Sequence, residues 1–407
     1  MNVDELVRES LREQATEQPP LGPGFADRVL TARRRRRTRT LASLAAATTA
    51  VVAVAVAVPL ATEGEEDVRP ASQMNKSDII GHPNQSPPRD LIAAGDTVLS
   101  AFWVYKNVKQ PNGDTIHTRT YGLLNQKTGK YEKTKKWAFL DIAPGSRTAA
   151  VLEGELPARR IGLLDLISGK VERWIPVDRG VGGVAFSPDG EKLVATTYGK
   201  NPDRNFADHP QNVDGKKVPG PVSSRTGFAV VDVDSGTSEW HKAPDKPDEF
   251  GWFGNPREDF DWSHDGKLVY AHRAMEPYRE YYDLNGDEAD WPANEKSLGY
   301  AEAGLSPDGK LAAGEFAGDG KEIASAINDA KTGKRVTTVP VQQLLAWADN
   351  KRLIAWGCDP EKCGGTGEFR NQLLLVTIGT NKVVPLSDFR KASADYPGRW
   401  EPLFSSR

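Results

Sequence analysis

Ser187-Pro188-Asp189-Gly190-Glu191-Lys192-Leu193-Val194-Ala195 returns twice more, as Ser263-His264-Asp265-Gly266-Lys267-Leu268-Val269-Tyr270 and Ser306-Pro307-Asp308-Gly309-Lys310-Leu311-Ala312-Ala313. Serine opens the turn, proline presets the backbone at the second position, aspartate bonds to local amides, and glycine takes the position where positive φ is cheap. Lysine and an alternating apolar run follow, so each copy predicts the tip of a β-hairpin. Three degenerate copies share the pattern: Ala93-Ala94-Gly95-Asp96, Ala143-Pro144-Gly145-Ser146 and Trp347-Ala348-Asp349-Asn350. Taking Asp96, Ser146, Gly190, Gly266, Gly309 and Asn350 as equivalent, the intervals are 50, 44, 76, 43 and 41 residues.

A second signature follows each turn: an apolar strand, a Thr/Ser-Gly-Lys-like turn, and another strand. The clearest copies are Ile161 to Asp165 before Ser168-Gly169-Lys170, and Phe228 to Asp232 before Ser235-Gly236-Thr237. Each unit therefore predicts two hairpins, about four strands in roughly 40–45 residues, which is the size of a propeller blade. The turns resemble those of the WD40-like and TolB-like β-propellers over roughly residues 89–407, without the Gly-His and Trp-Asp dipeptides of strict WD40 blades. The expected fold is all-β, a six-bladed β-propeller, with a seventh blade open if residues 77–90 or the tail from Pro385 hold an eroded unit. Arg399-Trp400-Glu401-Pro402-Leu403-Phe404 is expected to add a strand to the first blade and cover its edge.

The chain has 407 residues and a net charge of -3, and the near balance argues against bulk nucleic-acid binding. Residues 62–407 hold 44 Lys/Arg against 50 Asp/Glu. Arg33 to Arg37 and Arg39 precede an uncharged stretch, Leu41 to Ala61, long enough to span a bilayer. Acids follow at Glu63, Glu65, Glu66 and Asp67, so the expectation is one transmembrane helix at 41–61 with the N-terminus inside. A cleaved secretory signal is the rival reading. Residues 1–40 then form a short, partly helical cytoplasmic tail, 62–88 a flexible linker, and 89–407 an extracytoplasmic propeller on the cell membrane.

The start Asp4-Glu5-Leu6-Val7-Arg8, then Phe25 to Leu30, the arginine run and the Ala/Val span resemble actinobacterial single-pass membrane proteins of the sigma-factor-associated type. The resemblance implies a cytoplasmic regulator bound by residues 1–40, in an anti-sigma-like manner. The His-x3-Cys-x2-Cys motif of the best-known anti-sigma domains is missing.

Cys358 and Cys363 are the only cysteines, with four residues including Pro360 between them, and outside a membrane they are expected to form a disulfide. The six histidines fall in no recognised metal spacing, and Walker, Rossmann and Gly-x-Ser-x-Gly motifs are absent. No catalytic, cofactor-binding or metal-binding residue is therefore assigned. The interval of 76 residues carries its excess between Gly199 and Arg225, which lacks apolar periodicity and is expected to be a long rim loop. Arg204 and His209 in it, with Phe250, Trp252 and Phe253 nearby, form the candidate recognition surface, for an extracytoplasmic protein or carbohydrate. The function expected is non-enzymatic binding. The alternative is a propeller enzyme such as a polysaccharide hydrolase or lyase, with carboxylates drawn from different blades.

Overall fold

The repeated turn folds the same way three times in the computed structural model, which describes residues 79–246, 257–273, 278–318, 323–359, 363, 371–390 and 399–407. Ser187 Oγ donates to Asp189 Oδ1 (2.5 Å) and accepts from Lys192 N (2.9 Å), while Gly190 N donates to Ser187 O at φ +74°. Ser263 and Ser306 make the same set with Asp265 and Asp308. In the degenerate copy at 93–96 the positive φ falls on Gly95, one residue before the equivalent position expected at Asp96.

Among the described residues every regular element is a strand, so the all-β class holds. The first unit contains β1 (Ile79–Ile80), β2 (Ala93–Ala94), β3 (Thr97–Lys109), β4 (Thr115–Asn125) and β5 (Lys130–Thr134). The second runs through β6 (Trp137–Ile142), β7 (Thr148–Glu153) and β8 (Ala158–Asp165) into β9 (Lys170–Phe186). β9 is long enough to close the second unit and open the third, which continues with β10 (Lys192–Tyr198), β13 (Arg225–Asp232) and β14 (Ser238–Lys242). The fourth has β15 (Phe260–Trp262), β16 (Val269–His272), β17 (Arg279–Tyr282) and β18 (Glu288–Ala289). The fifth has β19 (Leu311–Phe316), β20 (Ser325–Asp329) and β21 (Arg335–Val339), with a bridge from Leu305 to Ala312 in place of a first strand. The sixth has β22 (Gln343–Asp349), β23 (Arg352–Gly357), β24 (Gln372–Thr377) and β25 (Val383–Pro385). All these pairings are antiparallel.

Successive side chains in a strand point to opposite faces, and here both faces are covered. Leu373 and Leu375 pack with Ile92, Phe102 and Trp400, whereas Leu374 and Val376 pack with Ile327 and Val339. Leu193 and Ala195 pack against Ile161 and Ile175, whereas Val194 packs against Phe260 and Trp262. Each of these sheets is thus sandwiched between its neighbours in the chain, and the sixth unit packs on the first.

The tail strand behaves as expected. β26 (Trp400–Ser406) pairs antiparallel with β3, from Trp400↔Val104 to Ser406↔Thr97. Residues 79–88, read as the end of the linker, lie on the folded domain. Ile79 and Ile80 pair with β2, His82 N donates to Leu386 O, and Gln85 is buried and bonded to Asp90. No helix among the described residues is long and apolar enough to cross a membrane, and the expected span 41–61 lies outside them.

The segment from Gly199 to Arg225 corrects an expectation. It is not an irregular loop but a hairpin, β11 (Arg204–Val213) and β12 (Lys216–Gly220). It crosses to the first unit, where Arg204↔Ile116 and Asn205↔Thr115 extend the β3–β4 sheet. Its strands lack apolar alternation because β11 is solvent-exposed over most of its length. Polar anchors on distant strands take the place of a buried face.

Candidate functional site

Two regions collect side chains that the repeat itself does not need. The first is the root of the β11–β12 hairpin. Asp203, just before β11, accepts from Arg119 of β4 at 2.5 and 3.0 Å and from Arg257 at 2.9 Å. Arg257 also pairs with Asp259 at 2.8 Å, and Tyr198 Oη donates to Asp259 at 2.9 Å. Burial pushes the Asp203 carboxyl up, but Arg257 and Arg119 together overcome it and hold it below the ordinary value. Burial lowers His117, against the pull of Asp203, and favours its neutral form. Its ring nitrogen lies 3.2 Å from Asn205 Nδ2.

Arg204, a candidate from the sequence, lies at this root and pairs with Asp114 (3.1 Å) and Glu155 (2.5 Å). Its role is to fasten the hairpin. Asp114, which also accepts from Ala207 N at 2.9 Å, is the partner the sequence reading missed. His209 lies further out on β11, exposed, with its ring against Phe206. Phe250, Trp252 and Phe253 lie outside the described residues.

The second region is the junction between the fourth and fifth units. Apolar clusters fill the other junctions, each drawing members from both neighbouring sheets. Here the nearby cluster is Leu298, Leu305, Ala312 and Ala330, with no member from β15–β18. A buried ion pair stands in this place: Glu295 accepts from Arg279 at 3.2 Å, Tyr281 Oη at 2.6 Å and His264 N at 2.8 Å. Beside it opens a cleft of about 1210 Å³. Trp291, Tyr278 and Phe316 supply its aromatic surface, and Asp290, Lys296, Glu315 and Asn328 its polar surface. Phe316 is 49% exposed, which is unusual for a large apolar side chain in a strand. Among the described residues, none of those four polar side chains spends its hydrogen-bonding capacity on protein. They face the cleft with donors and acceptors available.

A smaller cavity of about 360 Å³ reaches Asp141 and Asp261, on the first strands of the second and fourth units. Asp141 is hemmed in by protein although part of it faces that cavity. Burial pushes it up to about 7, with Asp261 adding to the rise and the amides of Phe186 and Ile142 opposing it. Asp141 accepts from Phe186 N (2.7 Å), a bond between the opening strands of the second and third units, while Asp261 accepts from Trp262 N (2.8 Å) within its own strand. Among the described residues no group of three or more His, Cys, Asp or Glu side chains is placed to hold a metal ion. Cys358 and Cys363 are joined as a disulfide, Cα atoms 5.8 Å apart, as their spacing leads one to expect.

No family model matches the chain, and no curated protein matches it in sequence. Among solved structures it is similar to TolB from Acinetobacter baumannii, at 15% identity and a TM-score of 0.39 over 78% of this chain and 68% of that one. The Cps50 (Swd1) β-propeller domain of Myceliophteria thermophila matches at 12% identity and a TM-score of 0.35, over 74% and 86% of the two chains. Hydrazine synthase of Kuenenia stuttgartiensis matches at 15% identity and a TM-score of 0.32, over 62% and 66%. These overlaps are loose, and the architecture rests on the strand pairing and turn chemistry described above.

Proposed function

We propose that the chain is a six-bladed β-propeller, held outside a cell membrane by residues 41–61, that binds an extracytoplasmic protein or carbohydrate without covalent chemistry. Six units each built on one turn, sheets of the third and sixth units covered on both faces, and a last strand returned to the first unit support the ring. The cleft at the junction of the fourth and fifth units carries the binding reading. Its volume of about 1210 Å³ suits an extended peptide or an oligosaccharide better than a small metabolite. Trp291 and Tyr278 offer stacking surface, while Asp290, Lys296, Glu315 and Asn328 offer donors and acceptors of both signs. Residues 1–40 would then engage a cytoplasmic regulator in an anti-sigma-like manner.

The test is a screen of peptides and oligosaccharides against the full chain, followed by Trp291→Ala and Glu315→Gln. Loss of at least about tenfold in affinity in both, at unchanged melting temperature, is expected for a central aromatic and its polar neighbour. Ligands retained by both variants would sink the assignment of the cleft. Protease accessibility on intact cells tests the anchor. Capture of cytoplasmic proteins by the full chain, with and without residues 1–40, tests the tail.

The Asp141 and Asp261 pair favours the second reading, a hydrolase or lyase acting at the 360 Å³ cavity. Turnover of a polysaccharide abolished by both Asp141→Asn and Asp261→Asn, in folded protein, would establish it.

A further inference from the structure

Strand register makes the two hairpins of the first sheet into one projecting arm. β4 runs inward from Thr115, and β11 pairs antiparallel to it only through Arg204 and Asn205. The rest of β11 therefore continues outward past the β3–β4 tip, and β12 returns along it. β1 and β2 meet β3 at its opposite end, beside Thr97 and Val98. The arm thus points away from β1 and β2.

The arm is basic on a body that is acidic. Residues 97–125, the β3–β4 hairpin, hold three Lys/Arg and one Asp/Glu, residues 200–220 hold four and three, and Lys130, Lys133, Lys135 and Lys136 follow at its base. The domain as a whole has the opposite sign, with 45 acids to 42 bases in residues 79–407. One face of the arm also carries a ladder of rings. Residues that pair across strands share a face, so Trp103, Tyr105 and Lys109 stand with His117 and Arg119. The Trp103 and Tyr105 rings are 5.9 Å apart, those of Tyr105 and His117 5.6 Å apart, and Arg119 lies 5.3 Å over Trp103. His117 and Arg119 of the ladder also line a groove of about 330 Å³. Lys135, Lys136, Glu155 and Asp203 line it with them.

We propose that this groove and ladder bind an acidic polysaccharide. The exposed Lys109, Lys135 and Lys136 beside the ladder match sparse carboxylates or sulfates on a polymer. The exposed Glu155 and the neutral imidazole of His117 in the same wall match hydroxyls. A polyphosphate or nucleic acid would set dense negative charge against the exposed Glu155, whereas a sugar chain carries hydroxyls at that density. Pyranose faces stack on aromatic rings, and the alternate positions Trp103 and Tyr105 repeat at about 6.8 Å along the strand.

The full chain in detergent is tested against polygalacturonate, with dextran, polyphosphate and anionic vesicles alongside. Polygalacturonate binding is expected at low salt, weakening as salt rises, and about tenfold weaker in Lys109→Ser/Lys135→Ser. Tyr105→Ser should weaken it by a similar factor, about tenfold, through lost stacking. Lys331→Ser/Lys334→Ser, on the turn between β20 and β21, should leave it unchanged. Melting temperatures identify any variant that fails to fold, and Lys109→Glu/Lys135→Glu, at exposed positions, then supplies the charge test. No binding of polygalacturonate, equal or tighter binding of polyphosphate or vesicles, or equal losses in the Lys331/Lys334 variant would each overturn the proposal.

Discussion

Trp400 meets Trp356 edge-on, with ring centroids 4.8 Å apart. Both rings are fully buried, and Phe102 of β3 packs on Trp400 at 5.9 Å. Arg390 lies 4.0 Å over the Trp356 ring and pairs with Glu401 at 2.8 Å. One side chain of β26 thereby joins the sixth unit to the first.

Trp400→Ala is therefore expected to cost about 3–5 kcal/mol, the range for deleting a large buried aromatic. Urea unfolding followed by fluorescence measures it. A cost below about 1 kcal/mol would mean that β26 contributes little to the closed fold.

Asp203→Ala leaves Arg119 and Arg257, both largely buried, facing a lost partner. Breaking such a group is expected to cost about 3–5 kcal/mol and to free the β11–β12 hairpin, so trypsin should cut at Lys216 or Lys217 sooner than in the parent. The folded carboxyl titrates below its unfolded value. Its stabilisation is thus fully present above the ordinary carboxylate range and lost as pH falls through the depressed value. Denaturation curves between neutral and acid pH should show this loss in the parent and not in the variant.

Asp141 predicts the opposite slope. Its folded pKa is raised to about 7, so its contribution is greatest below the unfolded carboxylate value and declines as pH rises through about 7. Asp141→Asn keeps an acceptor for Phe186 N and removes the titration. Melting temperature of the variant should be flatter with pH than that of the parent across this window; parallel curves would refute the assignment.

Reducing the bond between Cys358 and Cys363 should cost about 2 kcal/mol, because the closed loop is short. Cys358→Ser/Cys363→Ser should melt lower by a few degrees and bind every ligand as the parent does. Altered binding would give the loop a role beyond stapling.

The turns were legible because their chemistry is local: Ser187, Asp189 and Gly190 satisfy one another within four residues. The tail strand was legible because Trp400 and Phe404 stand in an apolar pattern where the first unit has an edge to cover. The β11–β12 hairpin was not, since what orders it is Asp203 on Arg119, 84 positions away, and Asp114 on Ala207, 93 away. Neither contact leaves a periodic trace. The cleft at the fourth junction was hidden for a related reason. Trp291 and Phe316 belong to different units, and what opens the cleft is a missing apolar interface, which a list of residues does not display.

The pairing of β26 with β3 also fixes an order of events during synthesis. β3 leaves the ribosome nearly three hundred residues before its partner Trp400–Ser406. Throughout that time one side of β3 is an open edge, available to other chains. Units two to six can collapse on their neighbours as they emerge, but the first waits. Folding of this protein should therefore be most vulnerable to aggregation late in translation, and a product cut short before Trp400 should be recognisable to quality control by that single unpaired strand.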